Sequence, residues 1–158
     1  METMKIIILI KEQCAKLVRD GQVERVFSVS TSSLGTGSEV GSYKTPLGNL
    51  KIHQKIGADH PHGRVFRARV PTDDICTENP RSSLWQSAED MVLSRILWLE
   101  GCQPENANTK ERFIYLHGTN QEHLLGQPAS HGCIRMSNND IITLFDLVAE
   151  GTEVEIID

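Results

Sequence analysis

Asp20-Gly21 sits between "KLVR" and "QVERVFSV", and no other pair in the chain constrains the fold so tightly. Aspartate and glycine both accept the positive φ that a two-residue hairpin turn demands. The flanking runs, and "KIIILI" before them, are rich in β-branched and apolar residues. Residues 5–32 therefore predict three short strands. Turn-bounded runs recur in "NLKIHQKIG", "GRVFRARVP" and "RFIYLHG", and "TEVEIID" reads as a closing strand with Val154 and Ile156 on one face. "MVLSRILWLEG" satisfies neither period cleanly and is read as a buried strand. One stretch carries strong helix signals. Ser137 and Asp140 cap a run in which Ile141, Leu144, Phe145 and Val148 recur at helical spacing, before Gly151. Many short strands with one late α-helix, and short helical segments besides, predict a mainly β sandwich or partly open barrel.

No repeat or linker interrupts the 158 residues, so residues 1–158 are expected to form a single domain. The formal net charge is −5 without a basic cluster, which argues against nucleic acid or an anionic membrane as partner. Ile6 to Ile10 is too short an apolar run for a signal-peptide core, and nothing approaches a bilayer span. That reading predicts a cytoplasmic protein. "LGTGSEVGSYKTPLG" lacks the Gly-Lys-Ser/Thr ending of a phosphate loop and is read as a plain loop over residues 35–48. The four cysteines are scattered singly, neither a disulfide framework nor a zinc ribbon.

One of the four has unusual company. In "ASHGCIRMS", Cys133 follows Ser130, His131 and Gly132 and precedes Arg135. A thiol attacks as thiolate, and an imidazole can both take its proton and stabilise the anion. His131 lies two residues away, ~6–7 Å along an extended segment, which places it poorly for contact. His117, arriving on a neighbouring strand, is the better-placed base. The turn through His131, Gly132 and Cys133 can present backbone N–H groups to an oxyanion, and Arg135 offers a planar fork to a carboxylate. Thiol, base, oxyanion donors and clamp describe acyl transfer on a peptide. Tyr115 alternates with His117 and can line the pocket, while His123 lies in the loop between the two motif halves. A zinc site from His117, His131 and Cys133 is disfavoured by its ligand spacing and by Arg135, so neither metal nor cofactor is expected.

"HGTNQEHLLGQPASHGCIRM", together with "VSTS", "KTPLG" and "GTEVEI", resembles the L,D-transpeptidase catalytic domain, or YkuD-like domain, nearly end to end. The resemblance implies a YkuD-like β fold, Cys133 as nucleophile and His117 as general base. It implies that a backbone carbonyl, with Gly118 the candidate, orients the base. His131 and Gly132 would line the oxyanion site, and Ser130 and Arg135 the substrate pocket. The implied substrates are peptidoglycan tetrapeptide stems or muropeptides, cut between the L-centre of a diamino acid and D-alanine through a thioester. Carbapenems are implied as covalent inhibitors. Most members are exported, whereas here the first strand begins at the initiator methionine. That departure leads to an expectation of water as acceptor, an L,D-carboxypeptidase of murein recycling. Amine-accepting transpeptidation and a non-catalytic fragment binder are the alternatives.

Overall fold

The computed structural model describes residues 3–158. The first three strands are β1 (Met4–Leu9), β2 (Cys14–Arg19) and β3 (Gln22–Ser28), with Asp20 at φ 49° and Gly21 at φ 79° forming the expected turn. β4 (Gly48–Ile56) corresponds to "NLKIHQKIG". "GRVFRARVP" is not one strand but a hairpin of β5 (Arg64–Arg67) and β6 (Val70–Ile75). Its turn residues, Ala68 at φ 47° and Arg69 at φ 65°, adopt the left-handed region without glycine, so the sequence carries no turn signal there.

β7 (Val92–Gly101) is the strand whose periodicity was unclear. It pairs with β4 and β5 on one side and with β8 (Tyr115–Gly118) on the other. Ser94 at φ 72° sits at a bulge between Leu93 and Ile96, and residues 93–97 are all buried. A central strand covered on both faces, with two extra residues opposite β8, has no reason to alternate. β9 (Ile134–Met136), three residues long and without a sequence signal, runs parallel to β8. Helix α1 (Asn138–Leu147) starts where expected, with Ser137 Oγ accepting from the Asp140 N–H at 3.0 Å. β10 (Glu153–Ile157) inserts between β1 and β4.

The sheet order is β3-β2-β1-β10-β4-β7-β5-β6, and β8 with β9 fork from β7. The fork folds the mixed sheet over one main core. Ile6, Ile8, Leu17, Leu50 and Ile52 from the long limb meet Leu116, Ile134, Met136, Ile141 and Leu144 from β8, β9 and α1. The fold is mainly β with one α-helix and short 3-10 turns at Pro104–Asn106 and Glu122–Leu124. Among the described residues, no helix is long and apolar enough to cross a membrane.

Candidate active site

The β8–β9 pair sets the geometry. Its register places His117 opposite Arg135, and Cys133 immediately precedes β9. His117 is 2% exposed, enclosed between β7 and β9. Its Nδ1 lies 2.7 Å from the Gly118 carbonyl oxygen. A carbonyl only accepts, so Nδ1 carries the proton and Nε2 keeps a lone pair. Burial lowers the His117 pKa, and the ring rests neutral. Close packing requires glycine at position 118: a Cβ there would sit 2.6 Å from Asn138 Oδ1 and 2.7 Å from the Leu93 carbonyl.

The Cys133 sulfur is held differently from expectation. It accepts from the Tyr115 N–H at 3.3 Å and donates to the Phe113 carbonyl at 3.4 Å. The side chain thus takes the place of one more backbone residue at the end of the β8–β9 ladder, opposite Ile114. Among the described residues, no hydrogen bond joins His117 to this sulfur. Loss of solvent pushes the thiol up to about 12, and the backbone N–H of Tyr115 offsets only part of that. The sequence pattern suggested a proton-poor sulfur held by imidazole. The resting group is instead a protonated thiol, because desolvation outweighs the nearby Arg112 and Arg135 charges.

The turn before it is braced from two sides. Gly132 adopts φ 128°, which requires glycine. Its N–H donates to Ser130 Oγ at 3.2 Å, its carbonyl accepts from Thr45 Oγ1 at 2.9 Å, and Ser130 Oγ donates to the Cys133 carbonyl at 2.6 Å. Among the described residues the N–H groups of His131 and Cys133 have no acceptor, so they, rather than that of Gly132, can meet an oxyanion.

Two expected pocket residues turn out to be buried braces. Ser130 is 0% exposed; its side chain bonds within its own turn and its backbone to Thr31 and Ser33. Arg135 is also 0% exposed. Its guanidinium donates to Asp90 Oδ1 at 3.0 Å, Gln121 Oε1 at 2.5 Å and Ser30 Oγ at 3.1 Å, so it clamps the scaffold and not a solvent-borne carboxylate. Asp90 also faces His131 Nδ1 at 3.8 Å, while the His131 ring projects into solvent at the edge of Tyr43. Tyr115 is buried, and its backbone N–H meets the sulfur. His123 is exposed on its 3-10 turn, without a contact to the site.

Sequence reasoning missed four contributors. Asp90 pairs with Arg135 from the segment just before β7. Phe113, at φ 58°, supplies the carbonyl under the thiol. Arg112 donates to the Gly37 and Lys44 carbonyls, tying the 35–48 loop to the site. Arg69 donates to Tyr115 Oη at 2.8 Å. None belongs to a motif, although the run Arg112–Phe113 directly precedes the His117 strand and is the nearest thing to a signal. A cleft of about 170 Å³, lined by Val40, Tyr43, Phe113, Ile114 and His131 among others, opens beside the elbow. Among the described residues, no cluster of three or more His, Cys, Asp or Glu could hold a metal.

A forked, mainly β sheet thus carries a cysteine on the turn just before β9 and, on the paired β8, a histidine whose ring is held by a backbone carbonyl. Residues 3–156 match the model of the YkuD L,D-transpeptidase catalytic domain, and the chain belongs to that family. It is 29% identical over 142 residues to a putative L,D-transpeptidase, YqjB, of Bacillus subtilis, covering 90% of this chain and 64% of that protein. Over 47 residues it is 51% identical to a probable L,D-transpeptidase, ErfK/SrfK, of Salmonella typhimurium, covering 30% of this chain and 15% of the other. The fold is that of an L,D-transpeptidase from Mycobacterium smegmatis, with TM-score 0.64 at 18% identity over 99% of this chain and 59% of that one. Another solved LD transpeptidase, captured in complex with imipenem, superposes with TM-score 0.60 at 18% identity, over 99% of this chain and 59% of the other.

Proposed function

We propose that this chain is a cysteine enzyme that cleaves the bond between the L-centre of a diamino acid and D-alanine in peptidoglycan tetrapeptide stems, with water as final acceptor. The observation that carries the acyl-transfer half is the tautomer of His117. The Gly118 carbonyl fixes the proton on Nδ1, which leaves Nε2 as the base available to the thiol on the turn before the adjacent strand.

In the reaction, donor binding releases Cys133 from Phe113 and Tyr115, and Nε2 of His117 takes the thiol proton as sulfur attacks the scissile carbonyl. The oxyanion is met by the N–H of Cys133. Collapse breaks the C–N bond, His117 returns its proton to the leaving amine, and D-alanine departs from a thioester. Water, deprotonated by His117, then attacks the thioester and regenerates the thiol with a free carboxylate on the shortened stem.

The acceptor is the finer half. Beside the elbow the His131 side chain is 73% exposed and Tyr43 61% exposed, so water reaches the thioester from that side. This outcome suits turnover of wall fragments. The same open side favours a second reading, because the cleft includes Glu111, whose carboxylate can hold an ammonium and present an amine acceptor. Incubation of the protein with a disaccharide tetrapeptide, with and without a D-amino acid, tests both. Tripeptide and free D-alanine are expected irrespective of acceptor; predominance of exchange products refutes hydrolysis, and no product at all refutes the acyl-transfer reading. The imipenem complex of the solved relative supports a matching expectation, a carbapenem adduct by intact mass that Cys133→Ala abolishes.

A further inference from the structure

Two residues touch the Cys133 sulfur through their backbones, Phe113 by its carbonyl and Tyr115 by its N–H. The side chains of the same two residues hold Arg69. Its guanidinium lies 4.3 Å from the Phe113 ring centroid and 5.0 Å from that of Trp98, and it donates to Tyr115 Oη at 2.8 Å. Phe113 and Trp98 shield part of the cation and Tyr115 takes one of its N–H groups, which leaves the remaining N–H donors as the binding surface.

That edge is unusual among the arginines around the site. Arg135 is on Asp90, Arg67 on Glu89, Arg64 on the Thr72 carbonyl and Arg112 on the Gly37 and Lys44 carbonyls. Among the described residues no carboxylate pairs with Arg69, in a chain whose formal net charge is −5. The residue is half-buried, and its backbone is held in the left-handed region at the tip of the β5–β6 hairpin. A glycine-free turn in the left-handed region that delivers a cation without a carboxylate partner to the residues touching a nucleophile is a feature of functional sites.

We propose that Arg69 binds a carboxylate of the donor peptide within one or two residues of the scissile bond, and thereby sets donor specificity. The inference rests on the acyl-transfer reading above. An extended peptide spans ~3.5 Å per residue. A group one or two residues from the attacked carbonyl therefore lies about as far from the sulfur as the side chains of Phe113 and Tyr115 reach. The carboxylate can be the terminal one, beyond the scissile bond, or one upstream of it. Both present the same planar pair of acceptors to the fork.

The test compares three synthetic tetrapeptide stems: the free acid, the terminal amide, and the form amidated at its upstream carboxyls. Each is turned over by wild type, Arg69→Gln and Arg69→Lys. Wild type is expected to lose ~10–100-fold in kcat/KM, chiefly through KM, on whichever amide removes the recognised group. Arg69→Gln loses the same factor on the free acid and nothing further on that amide, and Arg69→Lys recovers part. Alkylation of Cys133 by neutral iodoacetamide stays the same in all three proteins. An equal loss on acid and amides, or wild-type indifference to amidation, overturns the proposal while leaving acyl transfer standing. Should Arg69→Gln fail to fold, the wild-type preference and the Lys variant still decide. Absence of wild-type turnover on every stem defeats the acyl-transfer reading, and this inference with it.

Discussion

The parked thiol makes a quantitative prediction about reactivity in the absence of substrate. Cys133 rests at about 12 against a reference of 9.0, three decades less thiolate at neutral pH than an unperturbed cysteine. A more basic thiolate is also a better nucleophile, with a Brønsted slope near ~0.4–0.5, so about 20–30-fold is recovered. The net expectation is alkylation by iodoacetamide ~30–50-fold slower than that of an ordinary exposed thiol at pH 7. The measurement is best made after Cys14 and Cys102 are replaced by serine, since Cys76 is fully buried, with intact mass followed from pH 6 to 11. The same protein in urea supplies the unperturbed reference. The rate should still be climbing at pH 10. Because the sulfur bonds to backbone and not to His117, the variant His117→Gln should leave this resting rate within about 2-fold while turnover falls by ~10²–10⁴. A rate that levels off below pH 8, or that collapses in the His117 variant, would show a thiolate already paired with imidazole and refute the reasoning.

Two further predictions concern the buried frame. Arg135→Met leaves Asp90 without its partner in a mostly enclosed position and should cost ~3 kcal/mol of stability in urea titration, near the low end for a broken buried pair because Asp90 keeps 20% of its side-chain exposure. A change confined to KM, with stability intact, would instead mark Arg135 as a substrate contact. His117 carries a lowered pKa in the folded state, so the unfolded chain takes up its proton first. Stability should therefore fall as pH drops below about 6.5, by ~1.4 kcal/mol per pH unit until the folded pKa is reached, and His117→Gln should remove that part of the slope.

How much of this was legible from sequence follows from which forces act locally. The Asp20-Gly21 turn, the Ser137 cap and the alternation in β4 and β10 are near-neighbour effects, and each element formed where its residues indicated. The hairpin between β5 and β6 was hidden because Ala68 and Arg69 enter the left-handed region without a residue that prefers it. The neighbouring placement of the Cys133 and His117 segments, with the Gly118 carbonyl against the ring, and other such motif-borne placements were legible. The fates of Ser130 and Arg135 were not, since depth decides between a clamp for substrate and a brace for scaffold, and depth is set by distant segments. Asp90 and Ser30 cover Arg135 from positions 45 and 105 residues away. No local pattern encodes such a neighbour.

The parallel pairing of β8 with β9 has a consequence for how such a domain can vary. Parallel strands cannot be joined by a tight turn, so the polypeptide between Gly118 and Ile134 must travel out and back. Its outbound part is moored by Asn120 to Met91, Gln121 to Arg135 and Glu122 to Asn138, and its return by Gly126 to Val29 and Ala129 to Thr31. The arc from Leu124 to Pro128 hangs between moorings, tied by Leu124 and Leu125 to their own 3-10 turn and by Gly126 to Val29. Extra residues inserted there would lengthen an excursion without moving either end of it. The domain can therefore gain new reach from that arc while sulfur and ring keep their places.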